Sequence, residues 1–142
     1  IVLNQENKVL FCKRKNTSNW QFPQGGVDED EDLTKAMYRE LNEEVGLDFD
    51  QVKIKSESKN LIYYDIPSNL RLRVLGGKYK GQAQKYYLLH HISGEIDLNK
   101  EHHPEFDEFN WVPFWYPLGQ VVDFKKEAYR KALIEFKDHV TK

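Results

Sequence analysis

The chain has a single cysteine, Cys12, among 142 residues, so no intrachain disulfide can form and a reducing cytoplasm is the natural setting. Long apolar runs are missing as well. The longest uninterrupted stretches are four residues (Val9 to Cys12, Leu61 to Tyr64, Tyr86 to Leu89), against the ~20 that a membrane-spanning helix requires. A transmembrane helix is thereby excluded, and no membrane partner is expected. No signal peptide is visible; the sequence opens on Ile1 rather than Met, which leaves room for a leading segment. Repeats, low-complexity tracts and linkers are also absent. A chain of this length buries roughly 68–70% of its unfolded surface without staples. With 39% hydrophobic residues, one compact domain over residues 1–142, favoured as a monomer, is expected.

An excess of one charge is lacking too. Lys and Arg number 21 and Asp and Glu 23, a net charge of −2, which names no partner. The distribution says more. Residues 25–50 hold ten acids against Lys35 and Arg39, so this segment stands at −8 and the remainder at +6. Five of the cations (Arg71, Arg73, Lys78, Lys80 and Lys85) fall between Asn69 and Lys85 without one acid. An acidic cluster facing a basic stretch suits a metal-bound polyanion. Two solvated surface faces would leave the same signature.

Periodicity gives the organisation. Strand-type runs occur at Ile1–Leu3, Val9–Phe11, Val52–Ser56, Leu61–Ile66, Leu70–Val74, Lys85–Ile92 and Phe109–Val112. Asn4-Gln5-Glu6-Asn7 reads as the hairpin turn between the first two. Helical spacing runs from about Asp32 to Val45 and again from about Lys125 to Val140. In the second stretch Ala128, Tyr129, Ala132, Leu133, Phe136 and Val140 share a face. Strands in the middle with two separated helices predict an α/β sandwich on a mixed sheet.

The first helix carries an anomaly. Its ends are well specified: the acids Asp28 to Asp32 supply N-caps and suit the positive end of the helix dipole, and Gly46-Leu47 reads as a Schellman-type stop. At about 100° per residue with Leu33 at zero, Glu44 falls near 20° and Glu40 near 340°, inside the arc of Met37, Leu41, Val45 and Ala36, with Glu43 close by near 280°. An ordinary amphipathic helix keeps carboxylates off that arc. On an exposed helix such like-charge pairs oppose folding by only about 0.2–0.5 kcal/mol each. At a core edge, ~5–6 Å apart, they repel by roughly 3 kcal/mol at an effective dielectric near 20. Either one carboxylate keeps its proton or a cation holds the group. Oxygen ligands without Cys or a neighbouring His select Mg²⁺, Mn²⁺ or Ca²⁺ over zinc. An acidic surface stripe, with Arg39 pairing Glu43 four residues on, is the competing reading.

The wider spacing decides between them. Gly25, five residues, Glu31, seven residues, then Arg39-Glu40-Leu41-Asn42-Glu43-Glu44-Val45-Gly46-Leu47 resembles the Nudix box at every defined position. Trp20-Gln21-Phe22-Pro23-Gln24-Gly25-Gly26 before it resembles the bacterial RNA pyrophosphohydrolase branch of that family. So do Trp115-Tyr116-Pro117 and Gln120-Val121-Val122-Asp123-Phe124-Lys125 after it. Ap4A-type dinucleoside polyphosphate hydrolases share much of this pattern. The resemblance implies an α/β/α Nudix fold and Mg²⁺-dependent (or Mn²⁺-dependent) hydrolysis of a phosphoanhydride. The branch implies conversion of 5′-triphosphate or diphosphate RNA ends to monophosphates, which promotes mRNA decay, with the RNA 5′ end as partner. Cleavage of Ap4A to ATP and AMP is the alternative. A non-catalytic nucleotide-binding module is a third reading, and such modules usually lose the box carboxylates that this chain keeps.

Carried over by position, the resemblance makes Glu40, Glu43 and Glu44 metal ligands together with the Gly25 carbonyl. Glu44 or Glu40 is the expected general base. Glu105, in the loop before the Phe109–Val112 strand, matches a further catalytic carboxylate that adds a metal ligand. Glu31 and Arg39 match an ion pair that orients loop and helix. On the substrate side, Lys13 and Arg14 are placed to reach phosphates, Gln82, Gln84 and Lys85 match a stretch lining the nucleotide end, and Phe124 matches a stacking aromatic. Trp20, Phe22, Trp111 and Trp115 are expected in the core. His102 and His103 lack the Cys or third His of a zinc site, and His90, His91 and His139 carry no expected chemistry.

Overall fold

The structure, a computed structural model, describes residues 1–70 and 81–140. Six strands form one mixed sheet: β1 (Val2–Leu3), β2 (Lys8–Arg14), β3 (Trp20–Gln21), β4 (Val52–Glu57), β7 (Tyr87–His91) and β8 (Phe106–Pro113). Its order runs β3-β2-β1-β7-β4, with β8 along the other edge of β2. Among the described residues only β1 and β7 run parallel, in the register Val2 to Leu89; the other pairs are antiparallel. The expected turn at residues 4–7 closes β1 onto β2 through Asn7 N–H donating to the Asn4 carbonyl at 3.1 Å, with Asn7 at φ 61°. A separate two-stranded sheet pairs β5 (Ile62–Asp65) with β6 (Gly81–Gln84).

Strand β2 is apolar on both faces because the sheet is covered on both. Val9 and Phe11 enter a core with Leu88, Tyr129, Leu133 and Phe136, while Leu10 and Cys12 enter another with Leu41, Val45, Leu47 and Leu89. The first core is closed by α3 (Lys126–Phe136), the second by α1 (Leu33–Val45). This is the α/β/α sandwich on a mixed sheet. Helix α1 starts on Asp32, whose carboxylate accepts from the N–H groups of Thr34 and Lys35 at 3.1 and 3.2 Å. It stops on Gly46, in the left-handed region at φ 77°, where a Cβ would press on Asp97. No helix among the described residues is long and apolar enough to cross a membrane.

Several expected elements differ. The run Lys85–Ile92 holds one strand shorter than expected, β7 beginning only at Tyr87, and the separate strand β6 ends before it at Gln84. Between them Ser58 takes over, donating its N–H to the Tyr86 carbonyl at 2.8 Å and accepting the Tyr86 N–H on Oγ at 3.0 Å. The last strand is longer than Phe109–Val112, because β2 offers partners from Lys8 to Arg14. The final helix ends at Phe136 and tightens into a 3₁₀ turn at Lys137–His139. A five-residue helix, α2 (Tyr116–Gln120), was not expected. Trp115 is 47% exposed rather than buried, its ring set edge-on against Phe114 at 5.0 Å. The expected strand Leu70–Val74 and the cations Arg71, Arg73, Lys78 and Lys80 lie, apart from Leu70, outside the described residues.

Candidate active site

The position of Glu44 on α1 dictates its environment. It shares the helix face of Leu41 and Val45, so packing carries it inward until the residue is 7% exposed. Its Oε1 is buried with no hydrogen-bond partner among the described residues. Burial, reinforced by the charges of Glu40 and Glu105, pushes its carboxyl up to about 9; a backbone hydrogen bond from Gln24 pulls weakly the other way. Glu40, less deeply placed, is also raised, chiefly by burial and against the pull of Arg39.

Arg39 organises the remaining charge. Its Nε and Nη2 hold Glu31 in a two-pronged contact at 2.8 Å each. Nη1 donates to Glu40 Oε1 at 2.8 Å and to Glu43 Oε2 at 3.3 Å, and Nη2 reaches the Gly26 carbonyl at 2.9 Å. The Glu31 carboxyl also accepts the Asp28 N–H at 3.0 Å. Its pKa falls to about 2, first through Arg39 and then through this backbone donor. A planar guanidinium can serve such a fan of acceptors, whereas an ammonium cannot.

The loop at residues 22–26 passes over Glu40 and Glu44. A Cβ at Gly25 would overlap the Glu40 carboxylate, so only glycine lets this backbone approach so closely. Glu40, Glu44, Gly25 and Glu105 line a cavity of about 440 Å³ together with Arg14, Tyr64, Gln82, Phe124 and Lys125. Acids and cations thus line a single space. A second cavity of about 560 Å³ shares Glu40 and Glu44 and is otherwise largely apolar, with Leu33, Met37 and Leu61 among its walls.

The sequence matches the NUDIX domain family over residues 1–136. The chain belongs to the Nudix family. Among its relatives, the RNA pyrophosphohydrolase of Francisella tularensis subsp. mediasiatica is 46% identical over 142 residues, covering 99% of this chain and 91% of the relative. That of Pseudoalteromonas translucida is 44% identical over 138 residues, 96% of this chain and 80% of the relative. Two solved structures share the fold. The Escherichia coli dihydroneopterin triphosphate pyrophosphohydrolase superposes with a TM-score of 0.73 at 22% identity, covering 95% of this chain and 92% of its own. The Caenorhabditis elegans Ap4A hydrolase gives 0.69 at 19% identity, with 96% and 93% covered.

Nudix hydrolases generally need divalent metal ions, and the residues here suit one. An orphaned buried carboxylate oxygen, two neighbouring carboxylates and a glycine cradle form an all-oxygen donor set of the kind that hard cations select. The box glutamates are not drawn together as they stand. Among the described residues no three acidic, His or Cys side chains converge as a metal site; Arg39 holds Glu40 and Glu43, and Glu43 lines neither cavity. Gly25→Ala tests the cradle. The added methyl displaces only the flexible end of Glu40, so the thermal midpoint should hold while turnover falls about 100-fold, the cost of an ångström-scale misplacement.

On the substrate side, Arg14, Gln82 and Phe124 line the acid-bearing cavity. Lys13 lines neither cavity, because its ammonium is bound by Asp107 at 2.6 Å and the Thr17 carbonyl at 3.0 Å. Lys85 lines the apolar cavity, its ammonium held by the Ser58 carbonyl at 2.6 Å and Glu57 at 3.1 Å. Gln84 spends its amide on Gln24 and Tyr86. His102 and His103 are exposed, their rings 4.7 Å apart. Sequence reasoning missed Lys125. It is 7% exposed, donates to Gln21 Oε1 at 3.2 Å and stands 5.7 Å from the centre of the Tyr64 ring. Burial, then the charge of Arg14, lowers its pKa to about 8.

Proposed function

We propose that this Nudix protein is an RNA 5′-pyrophosphohydrolase, converting a 5′-triphosphate or diphosphate end to a monophosphate. The observation that carries the reading is the cavity that Glu44, with one carboxylate oxygen unpartnered, shares with Glu40, Glu105 and the cations Arg14 and Lys125. Relatives that are 44–46% identical over most of their length and bear that name support it. The donor set favours Mg²⁺, with Mn²⁺ able to substitute. When bound, such cations neutralise phosphate oxygens and lower the pKa of the attacking water.

The chain's own groups supply the rest. Arg14 and Lys125 bind the phosphate oxygens across the cavity, and the half-buried Phe124 ring, 5.8 Å from Tyr64, offers a face to the first base. Gln82, fixed by the Tyr64 hydroxyl at 2.6 Å, presents its amide at the nucleotide end. Water attacks a phosphorus atom, the phosphoanhydride P–O bond breaks, and the water's proton passes to a box carboxylate. Glu44 is the acceptor of choice, since its Oε1 has no competing donor. Glu105 and the Gly25 carbonyl would complete the cation ligands beside Glu40 and Glu44, Glu43 would join them only on leaving Arg39, and Glu31 and Arg39 hold helix and loop in register.

The test sets 5′-triphosphorylated RNA beside Ap4A with Mg²⁺ present. Release of pyrophosphate or phosphate from the RNA, leaving a monophosphate end, is the expected result. Rapid production of ATP from Ap4A with the RNA end intact would assign the chain to dinucleoside polyphosphates instead.

A further inference from the structure

The loop at residues 22–26 is held by side chains from three different elements, each at an alternate residue. Phe22 N–H donates to the Tyr129 hydroxyl of α3 at 2.9 Å, and the two rings stack 4.6 Å apart. Gly26 offers its carbonyl to Arg39 of α1 at 2.9 Å. Between them, Gln24 accepts on Oε1 from Gln84 Nε2 of β6 at 3.1 Å, and Gln84 Oε1 accepts in turn from the Tyr86 hydroxyl at 2.9 Å. The middle attachment is a relay of two side chains, and both partners are themselves fixed. Gln84 lies opposite Ile62 in the β5–β6 ladder. Tyr86 is 8% exposed, with its N–H and carbonyl both bonded to Ser58. Lys85, between them, is tied to the Ser58 carbonyl at 2.6 Å.

The Nudix box explains the outer two attachments only in part, and it contains neither Gln84 nor Tyr86. We propose that Gln84 and Tyr86 are positioning residues of the active site: their relay clamps Gln24, which holds the Gly25 backbone against Glu40 and Glu44. The inference rests on the reading of those two glutamates as the cation-holding pair. The physical argument is one of pre-organisation. The Gln24 backbone lies close enough to Glu44 to draw its carboxyl down slightly, and Gly25 abuts the Glu40 carboxylate, so a drift at residues 24 and 25 disturbs both glutamates. A half-buried amide bonded at both ends is restricted to few rotamers, and Tyr86, its partner on the core side, is buried, so the loop inherits part of that rigidity. Supporting shells of this kind typically control metal affinity by 10–100-fold.

Tyr86→Phe removes the hydroxyl and keeps the ring in the core, and Gln84→Leu removes the amide at similar volume. In both variants, amide exchange at Gln24, Gly25 and Gly26 should quicken, and Mn²⁺ affinity measured without substrate should fall about tenfold. Turnover should fall with KM little changed, since neither side chain is asked to touch substrate. Because the relay is serial, the double variant should lose no more than Gln84→Leu alone. Unchanged exchange and unchanged Mn²⁺ affinity in both single variants would overturn the proposal, as would additive losses in the double. Exchange and metal affinity are read without RNA or Ap4A, so these results stand apart from the choice of substrate. If Glu44→Gln itself leaves Mn²⁺ affinity and turnover untouched, the reading of the glutamates has failed instead.

Discussion

Glu44→Gln should abolish at least ~100-fold of the turnover, as removal of a positioned catalytic group does, and should make the metal-free protein more stable. The two effects have one cause. In the folded, metal-free chain the carboxyl of Glu44 is pushed up to about 9, mainly by burial, whereas in the unfolded chain it titrates near the ordinary value of 4.5. Between those limits the folded state binds the proton that the unfolded state has released. Unfolding free energy therefore falls as pH rises through this window. Glutamine carries no charge to desolvate, so the variant escapes the penalty. In EDTA the two proteins should be alike near pH 4.5 and diverge as pH rises. By pH 8 the variant should lead by roughly 1–3 kcal/mol, the scale of one buried group left unsatisfied. Mg²⁺ should raise the melting temperature of the natural chain and release a proton at neutral pH, and it should do neither for Glu44→Gln. Equal turnover in the two proteins would remove Glu44 from the chemistry; equal pH profiles would remove the buried charge from the stability.

That conflict between stability and function is what made the site legible. Hydrophobic periodicity places Glu40 and Glu44 on an apolar arc, where no stability argument puts them, and the structure buries Glu44 there. The same signal existed for Lys125, three and four residues before Ala128 and Tyr129 on the apolar face of α3, and its burial could have been read from it. Other features had no such mark. A period of two cannot say where a strand finds its partner, so Lys85–Ile92 reads as a strand throughout although pairing within it starts only at Tyr87. Two-residue β3 and five-residue α2 are shorter than any periodicity can show. Trp115 read as core by residue type, but it precedes the α2 turn and faces outward. The engagement of Lys13 by Asp107, 94 positions away along the chain, depends on the β2–β8 register, which no local pattern contains.

Arg39→Ala should be the most damaging change outside the carboxylates themselves. One guanidinium pairs with Glu31, Glu40 and Glu43 and ties the Gly26 carbonyl to α1. Without it, Glu40 and Glu43 repel unscreened and the loop loses its attachment to the helix. Turnover should fall by about 10–100-fold, as expected for a residue that orients metal ligands, with a higher Mg²⁺ requirement. Arg39→Lys should recover only part of this, because an ammonium restores the charge without the fork that holds both Glu31 oxygens. A separate signature lies in acid. Glu31 titrates at about 2 in the folded protein against an ordinary 4.5, so its contribution is complete above pH 4.5 and drains away as pH falls towards 2. Arg39→Ala removes the donor that depresses it, and the acid limb of the stability curve should flatten between those values. A purely catalytic arginine would lower turnover and leave that limb unchanged. An arginine that organises the site must move both, and urea unfolding midpoints at pH 3 and pH 6 distinguish the two.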